Sequence, residues 1–189
     1  MVLSALPSAS PGGATTNVEL VFVLGIDPGL SRCGYGCVES APGGARPIAV
    51  GVLTTPPSSP LPERLAELQR ELRALIAELH PDVVAVERVF FQVNVRTAMS
   101  VGQASGLAMA EAASAGCEVA QYSPNQVKEA VAGTGSATKD QVERMVQTLL
   151  GISQPLRPVD AADAVALALC HLAHAPRLAR VAAAKGAGR

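Results

Sequence analysis

The apolar run Leu20-Val21-Phe22-Val23-Leu24-Gly25-Ile26 leads into a carboxylate, Asp27. Runs this continuous belong to a buried strand. Two more strand-like stretches follow, so that three lie at roughly 20–27, 33–39 and 47–54, separated by Pro/Gly-rich turns. Such short connections predict antiparallel neighbours. Leu61, Leu65, Leu68, Leu72, Leu75, Ile76 and Leu79 then recur at helical spacing. They predict a helix over about 61–79, with Pro62 in its first turn and His80-Pro81 as its stop. Val83-Val84-Ala85-Val86 reads as a strand buried on both faces, and it too ends in a carboxylate, Glu87.

A long helix is expected over roughly 95–115, rich in Ala, Gly, Ser and Met. Gly102, Ser105, Gly106 and Ala110 fall near one face, where they would allow close helix approach, either in the core or at a dimer seam. Without such packing the glycines only weaken the helix. Cys117–Tyr122 reads as a fifth strand, and Ser123-Pro124 as the N-cap and first turn of a short helix holding Gln126, Val127 and Lys128. After the loop Gly133-Thr134-Gly135-Ser136, Thr138 and Gln141 form a capping box for a helix over about 139–150. Pro155 and Pro158 mark a connection, and a last helix runs from near Asp160 to about His174. This order predicts an α/β fold with a five-stranded mixed sheet flanked by helices.

The chain has 189 residues, enough for one domain with a sizeable core, and 49% of them are hydrophobic. Residues 1–18 hold Ser, Pro, Gly, Ala and Thr with no Lys or Arg, unlike a secretory signal, and are expected to form a disordered extension. The folded domain is expected over 19–175. A basic flexible tail, 176–189, carries Arg177, Arg180, Lys185 and Arg189. No stretch is long and apolar enough to span a membrane. Cys33, Cys37, Cys117 and Cys170 show no CxxC pair and no zinc-finger spacing. They read as free thiols of a protein in a reducing cytoplasm.

Asp27 alone is ordinary turn chemistry, since Asp-Pro-Gly initiates turns. Asp160 and Asp163, at i and i+3, share one helix face and alone could be an N-cap and a first-turn acid. Taken together the acids say more. If the strands ending in Asp27 and Glu87 are neighbours, the last helix can bring Asp160 and Asp163 over them. Four carboxylates at one spot repel, and hard divalent cations such as Mg²⁺ or Mn²⁺ would neutralise them. Two such ions about 4 Å apart can activate water and stabilise the leaving oxygen of a phosphodiester. The glycines around Asp27 would then leave room for a phosphate backbone. The net charge is −1, but setting aside these four acids leaves 15 basic residues against 12 acidic ones. Candidate phosphate contacts are Arg88, Arg96, Lys128, Lys139 and Arg144.

The segments LGIDPGLSRCGYG, AVERVFFQVN, GQASG, QVKEAVAGTGSATKDQV and DAADAVALALCH, in this order, resemble the RuvC family of bacterial Holliday junction resolvases over about residues 20–175. The resemblance implies a ribonuclease H-like fold and a homodimer that makes paired nicks in four-way DNA junctions with Mg²⁺ or Mn²⁺, two ions per site. It also implies work beside a branch-migration complex of RuvA and RuvB. It assigns the catalytic, metal-holding acids to Asp27, Glu87, Asp160 and Asp163, and DNA contacts to Lys128, Lys139 and the aromatic Phe90, with Phe91 its neighbour.

Three other readings compete. An actin-like or sugar-kinase ATPase fragment shares a Gly-Ile-Asp-x-Gly turn, but the chain has no internal repeat to supply a second lobe, and 133–139 does not satisfy the P-loop pattern. A non-catalytic junction-binding scaffold would be favoured by loss of an acid, yet all four positions are filled. A related nuclease acting on RNA–DNA hybrids is disfavoured by VERVFFQVN.

Overall fold

The structure is a computed structural model that describes residues 20–41, 44–88 and 95–186, without the side chains of 95–97 and 176–186. Five strands, β1 (Phe22–Asp27), β2 (Arg32–Ala41), β3 (Gly44–Thr54), β4 (Val83–Glu87) and β5 (Glu118–Tyr122), form one sheet in the order β3-β2-β1-β4-β5. The first three strands pair antiparallel, as their short connections predict, whereas β4 and β5 join parallel to β1 through helical crossovers. The helices are α1 (Leu61–Leu79), α2 (Val95–Ser114), α3 (Pro124–Ala132), α4 (Lys139–Leu150) and α5 (Val159–Gly186).

Alternation along the strands divides the core in two. Leu24 and Ile26 of β1, with Cys33, Tyr35 and Cys37 of β2, face α1 and α2. There they meet Leu68, Leu72, Leu75 and Ile76 of α1 and Ala104, Ala108 and Ala112 of α2. Val23, Val38, Val83 and Ala85 face the other way, against Val127 and Val131 of α3, Val146 and Leu150 of α4, and the Ala/Leu run of α5. Leu72 is fully buried, so Leu72→Ala would cost about 2–5 kcal/mol. All four cysteines are free thiols.

The glycines beside Asp27 have a role other than the expected one. A Cβ on Gly25 would lie 1.8 Å from the Ala164 carbonyl oxygen, one on Gly34 2.1 Å from the Asp160 carbonyl oxygen, and one on Gly36 2.3 Å from Val165 Cγ2. The space is filled by α5, so it does not receive a phosphate backbone. These three glycines share one face of the sheet because of the two-residue strand period, and β1 and β2 are antiparallel neighbours. The result is a smooth strip on which the backbone of α5 rests.

Helix α2 divides its small residues. Ser105 is buried on the core side, whereas Gly102, Gly106 and Ala110 are exposed, and a Cβ at either glycine would meet nothing within 4 Å. Ser105 therefore does not share the face of the other three, with which the sequence groups it. Helix α5 also runs past its expected end near His174, through Pro176, to Gly186. Proline removes one backbone donor, but the Ala, Leu, Arg and Lys residues that follow favour the helix.

Candidate active site

Two backbone devices align the carboxylates of β1 and β4. Phe22 N–H donates to Asp82 Oδ2 at 2.8 Å, and Asp82 N–H donates to Phe22 O at 2.9 Å. This double link fixes the register in which Ile26 pairs with Val86. Asp27 and Glu87, one residue further along each parallel strand, therefore emerge side by side at the carboxyl edge of the sheet.

The turn after Asp27 is pinned from below. Thr55 Oγ1, buried, donates to Leu30 O at 2.6 Å, and Arg64 of α1 donates to Thr55 Oγ1 at 3.0 Å and to Ser31 Oγ at 2.6 Å. Gly29 is needed because a Cβ there would lie 2.2 Å from the Arg32 carbonyl oxygen. The turn thus returns tightly into β2, and Gly34 pairs with Asp27.

Helix α5 brings its first turn to the same edge. Asp160 accepts two hydrogen bonds from Arg32, from Nε at 3.0 Å and from a terminal nitrogen at 2.6 Å. Asp163 accepts from Lys139 Nζ at 2.7 Å. Lys139 is the first residue of α4, held there by the Thr138/Gln141 capping box that the sequence predicts. Lys128 is carried by α3, whose N-terminus has a second capping box, Ser123 with Gln126. Asp27, Glu87, Asp163, Lys128 and Lys139 line one cavity, floored by Pro124, Val127, Val142, Ala166 and Leu167.

The electrostatics are those of a crowded acid cluster. Burial, then the charges of Glu87, Asp163 and Asp160, raise the Asp27 carboxyl from 3.8 to about 7. Glu87 is raised as well, by burial first and by Asp163. Hydrogen bonding between the two carboxyls adds to the rise at Asp27 and works against it at Glu87. Burial alone would lower Lys139, but its hydrogen bond to Asp163 and the charges of Asp163, Asp27 and Asp160 outweigh that and raise it. As placed, two cations offset the acids, Arg32 at Asp160 and Lys139 at Asp163.

All four donors are carboxylate oxygens, which suits a hard divalent cation. Among the described residues no three acidic, histidine or cysteine side chains are grouped tightly enough, as placed, to hold one. As placed, Asp160 and Asp163 are each paired with a cation. A bound ion would neutralise the crowded carboxylates that burial and mutual repulsion now raise.

Of the remaining candidates, Arg88 is exposed beside Glu87, and Arg144 is exposed on α4 with Nε directed to Asp140 O. Phe90 and Phe91, and the side chain of Arg96, lie outside the described residues. Sequence reasoning missed two contributors. Arg32 sits in the first glycine-rich motif, two residues before Gly34 and so on the same strand face. Tyr122, opposite Glu87 in the β4–β5 register, bonds through its hydroxyl to His171 Nδ1 of α5 at 2.9 Å, both being buried. Only the strand period, for Arg32, offered a signal in advance.

Comparison with known proteins agrees with this picture. The family model described as crossover junction endodeoxyribonuclease RuvC matches residues 23–171. The crossover junction endodeoxyribonuclease RuvC of Salinispora arenicola is 54% identical over 175 residues, covering 88% of this chain and 99% of that protein. The structure of Thermus thermophilus RuvC in complex with Holliday junction substrate superposes with a TM-score of 0.78 at 38% identity, covering 82% of this chain and 94% of that one. The yeast mitochondrial Holliday junction resolvase Ydc2, 15% identical over 81% of this chain and 78% of its own, shares the fold with a TM-score of 0.63. The fold is ribonuclease H-like, and the chain belongs to the RuvC family of crossover junction endodeoxyribonucleases.

Proposed function

We propose that this chain resolves four-way DNA junctions by metal-dependent hydrolysis of phosphodiesters, with Asp27, Glu87, Asp160 and Asp163 holding Mg²⁺ or Mn²⁺, two ions per site. The observation that carries the reading is the meeting of Asp27 and Glu87 at the ends of paired buried strands, with α5 laid so that its two acids face the same edge. When bound, the ions supply an activated water and neutralise charge on the leaving oxygen. The residues of the chain do the rest. The carboxylates fix the site on strand ends rather than on free loops. Lys128 and Lys139 on the cavity wall bind phosphate oxygens and orient the strand to be cut. Phe90, three residues past Glu87, stacks on a base at the open centre of the junction.

Paired cuts in opposing strands need two sites related by a two-fold axis, which a homodimer supplies. The exposed face of α2 bearing Met99, Gly102, Gly106 and Ala110 is the surface we assign to that contact. RuvA and RuvB are the partners that the family reading brings with it. No helix among the described residues is long and apolar enough to cross a membrane, and the DNA substrate places the work of the protein in the cytoplasm. The test is cleavage of a synthetic four-way junction with Mg²⁺, beside a linear duplex and an RNA–DNA hybrid of the same sequence. The reading expects the junction to be cut far faster than either. Preference for the hybrid would favour the RNA–DNA nuclease reading, and binding without cleavage would favour the scaffold.

A further inference from the structure

Arg32 is the one cation paired with an acid of the cluster to which the preceding section gives no task. It donates through Nε and a terminal nitrogen to a single oxygen, Oδ2, of Asp160, which leaves Oδ1 uncommitted to it. An ion pair this exposed, with the arginine side chain 51% and the aspartate 31% accessible, is ordinarily worth little to stability. Its surroundings argue that it does something else. The backbone of Arg32 is held on both sides. Gly29 packs on its carbonyl oxygen, and the preceding residues Leu30 and Ser31 are tied to Thr55 and Arg64. The backbone of Asp160 is held just as firmly, since its carbonyl oxygen rests on Gly34, two residues along the same strand face. Two side chains anchored on fixed backbones meet through a planar fork, an arrangement that removes rotamer freedom from the carboxylate.

We propose that Arg32 is a positioning residue: it holds Asp160 in place before a divalent ion arrives, so that the carboxylate need not be ordered on binding. Groups that orient a metal-holding side chain typically change metal affinity about 10–100-fold when removed. The inference rests on the assignment of Asp160 as a metal-holding residue, and the experiment separates the two. Mn²⁺ binding to the full chain, without DNA, is measured by titration calorimetry or by the free-ion spin-resonance signal. Arg32→Met is expected to weaken Mn²⁺ about tenfold at an unchanged melting temperature. Arg32→Lys, which keeps the charge but loses the fork, should recover only part of that. In an Asp160→Asn background, Arg32→Met should have no further effect.

Unchanged or tighter Mn²⁺ binding by Arg32→Met, while Asp160→Asn binds weakly, overturns the positioning role and leaves an ordinary or competing ion pair. An equal loss in the Asp160→Asn background overturns it too, because the effect would not pass through that carboxylate. Undiminished binding by Asp160→Asn overturns the underlying assignment of Asp160, and the positioning role with it.

Discussion

Gly34 of β2 lies directly beneath Asp160 of α5, so close that a Cβ at residue 34 would come 2.1 Å from the Asp160 carbonyl oxygen. The position of an acid in the cluster therefore depends on the missing side chain of a residue on another element. Gly34→Ala and Gly25→Ala must push α5 off the sheet, and overpacking of this kind costs about 1–3 kcal/mol. Each should lower the melting temperature and, at temperatures where the protein is still folded, reduce cleavage more than junction binding. Full activity in a stably folded Gly34→Ala variant would show that the seating of α5 is not critical.

The metal-free protein should lose stability as pH rises. Asp27 titrates at 3.8 ordinarily and at about 7 in the fold. Between those values the folded chain holds a proton that the unfolded chain has released. The resulting stability is complete below about 4 and is lost as pH rises through about 7. Glu87, raised by burial, acts in the same direction. His171, lowered by burial, acts in the opposite one. Melting curves of the wild type and of Asp27→Asn at pH 5 and pH 8, in chelator, isolate the contribution of Asp27. The wild type should fall further than the variant across this interval, and Mn²⁺ should reduce the difference. Parallel curves for the two proteins would contradict the raised carboxyl.

Lys128 and Lys139 separate binding from chemistry. Lys128→Ala should weaken junction binding and reduce its salt dependence by about one counterion per lost contact. Lys139→Ala should do the same and in addition release Asp163 from its 2.7 Å hydrogen bond. Unchanged salt slopes in fluorescence anisotropy would make both lysines ordinary surface charges.

The exposed face of α2 predicts the assembly. If it is the seam of a homodimer, Gly106→Leu should shift sedimentation at micromolar concentration from dimer to monomer while the helical signal is retained. A free face predicts instead no change in mass and a gain of up to about 1 kcal/mol from better helix propensity at Gly106→Ala.

Much of this architecture was legible before any coordinates. The leucine spacing over 61–79 and the Thr138/Gln141 box are local signals, and the helices they predict are present with those bounds. The two carboxylates were legible as well, because a charged residue ending an apolar run stands out. The partner of each glycine was not. A glycine looks the same in sequence whether it admits a ligand, a helix or nothing, and Gly34, beneath α5, and Gly102, in open space, show two of these outcomes. Arg32 was hidden for a related reason. Its partner lies 128 residues away, and the strand period that puts Arg32 on the face of Gly34 does not say which residue it meets there. The expected end of α5 near His174 falls short because the basic residues beyond it read as a tail, although the Ala, Leu, Arg and Lys among them are helix formers, and α5 continues to Gly186.

The central claim is that four carboxylates on three elements form one metal-dependent nuclease site. The most direct measurement is cleavage of a four-way junction in Mg²⁺ by the wild type and by Asp27→Asn, Glu87→Gln, Asp160→Asn and Asp163→Asn, with junction affinity recorded in parallel. Each amide removes a charge while nearly keeping the shape. The account predicts loss of cleavage by at least about a hundredfold in all four, a loss of some 2.7 kcal/mol of transition-state stabilisation, with affinity for the junction within a few fold of the wild type. Near-normal nicking by any one of the four, in a variant that binds the junction normally, would contradict the site as drawn.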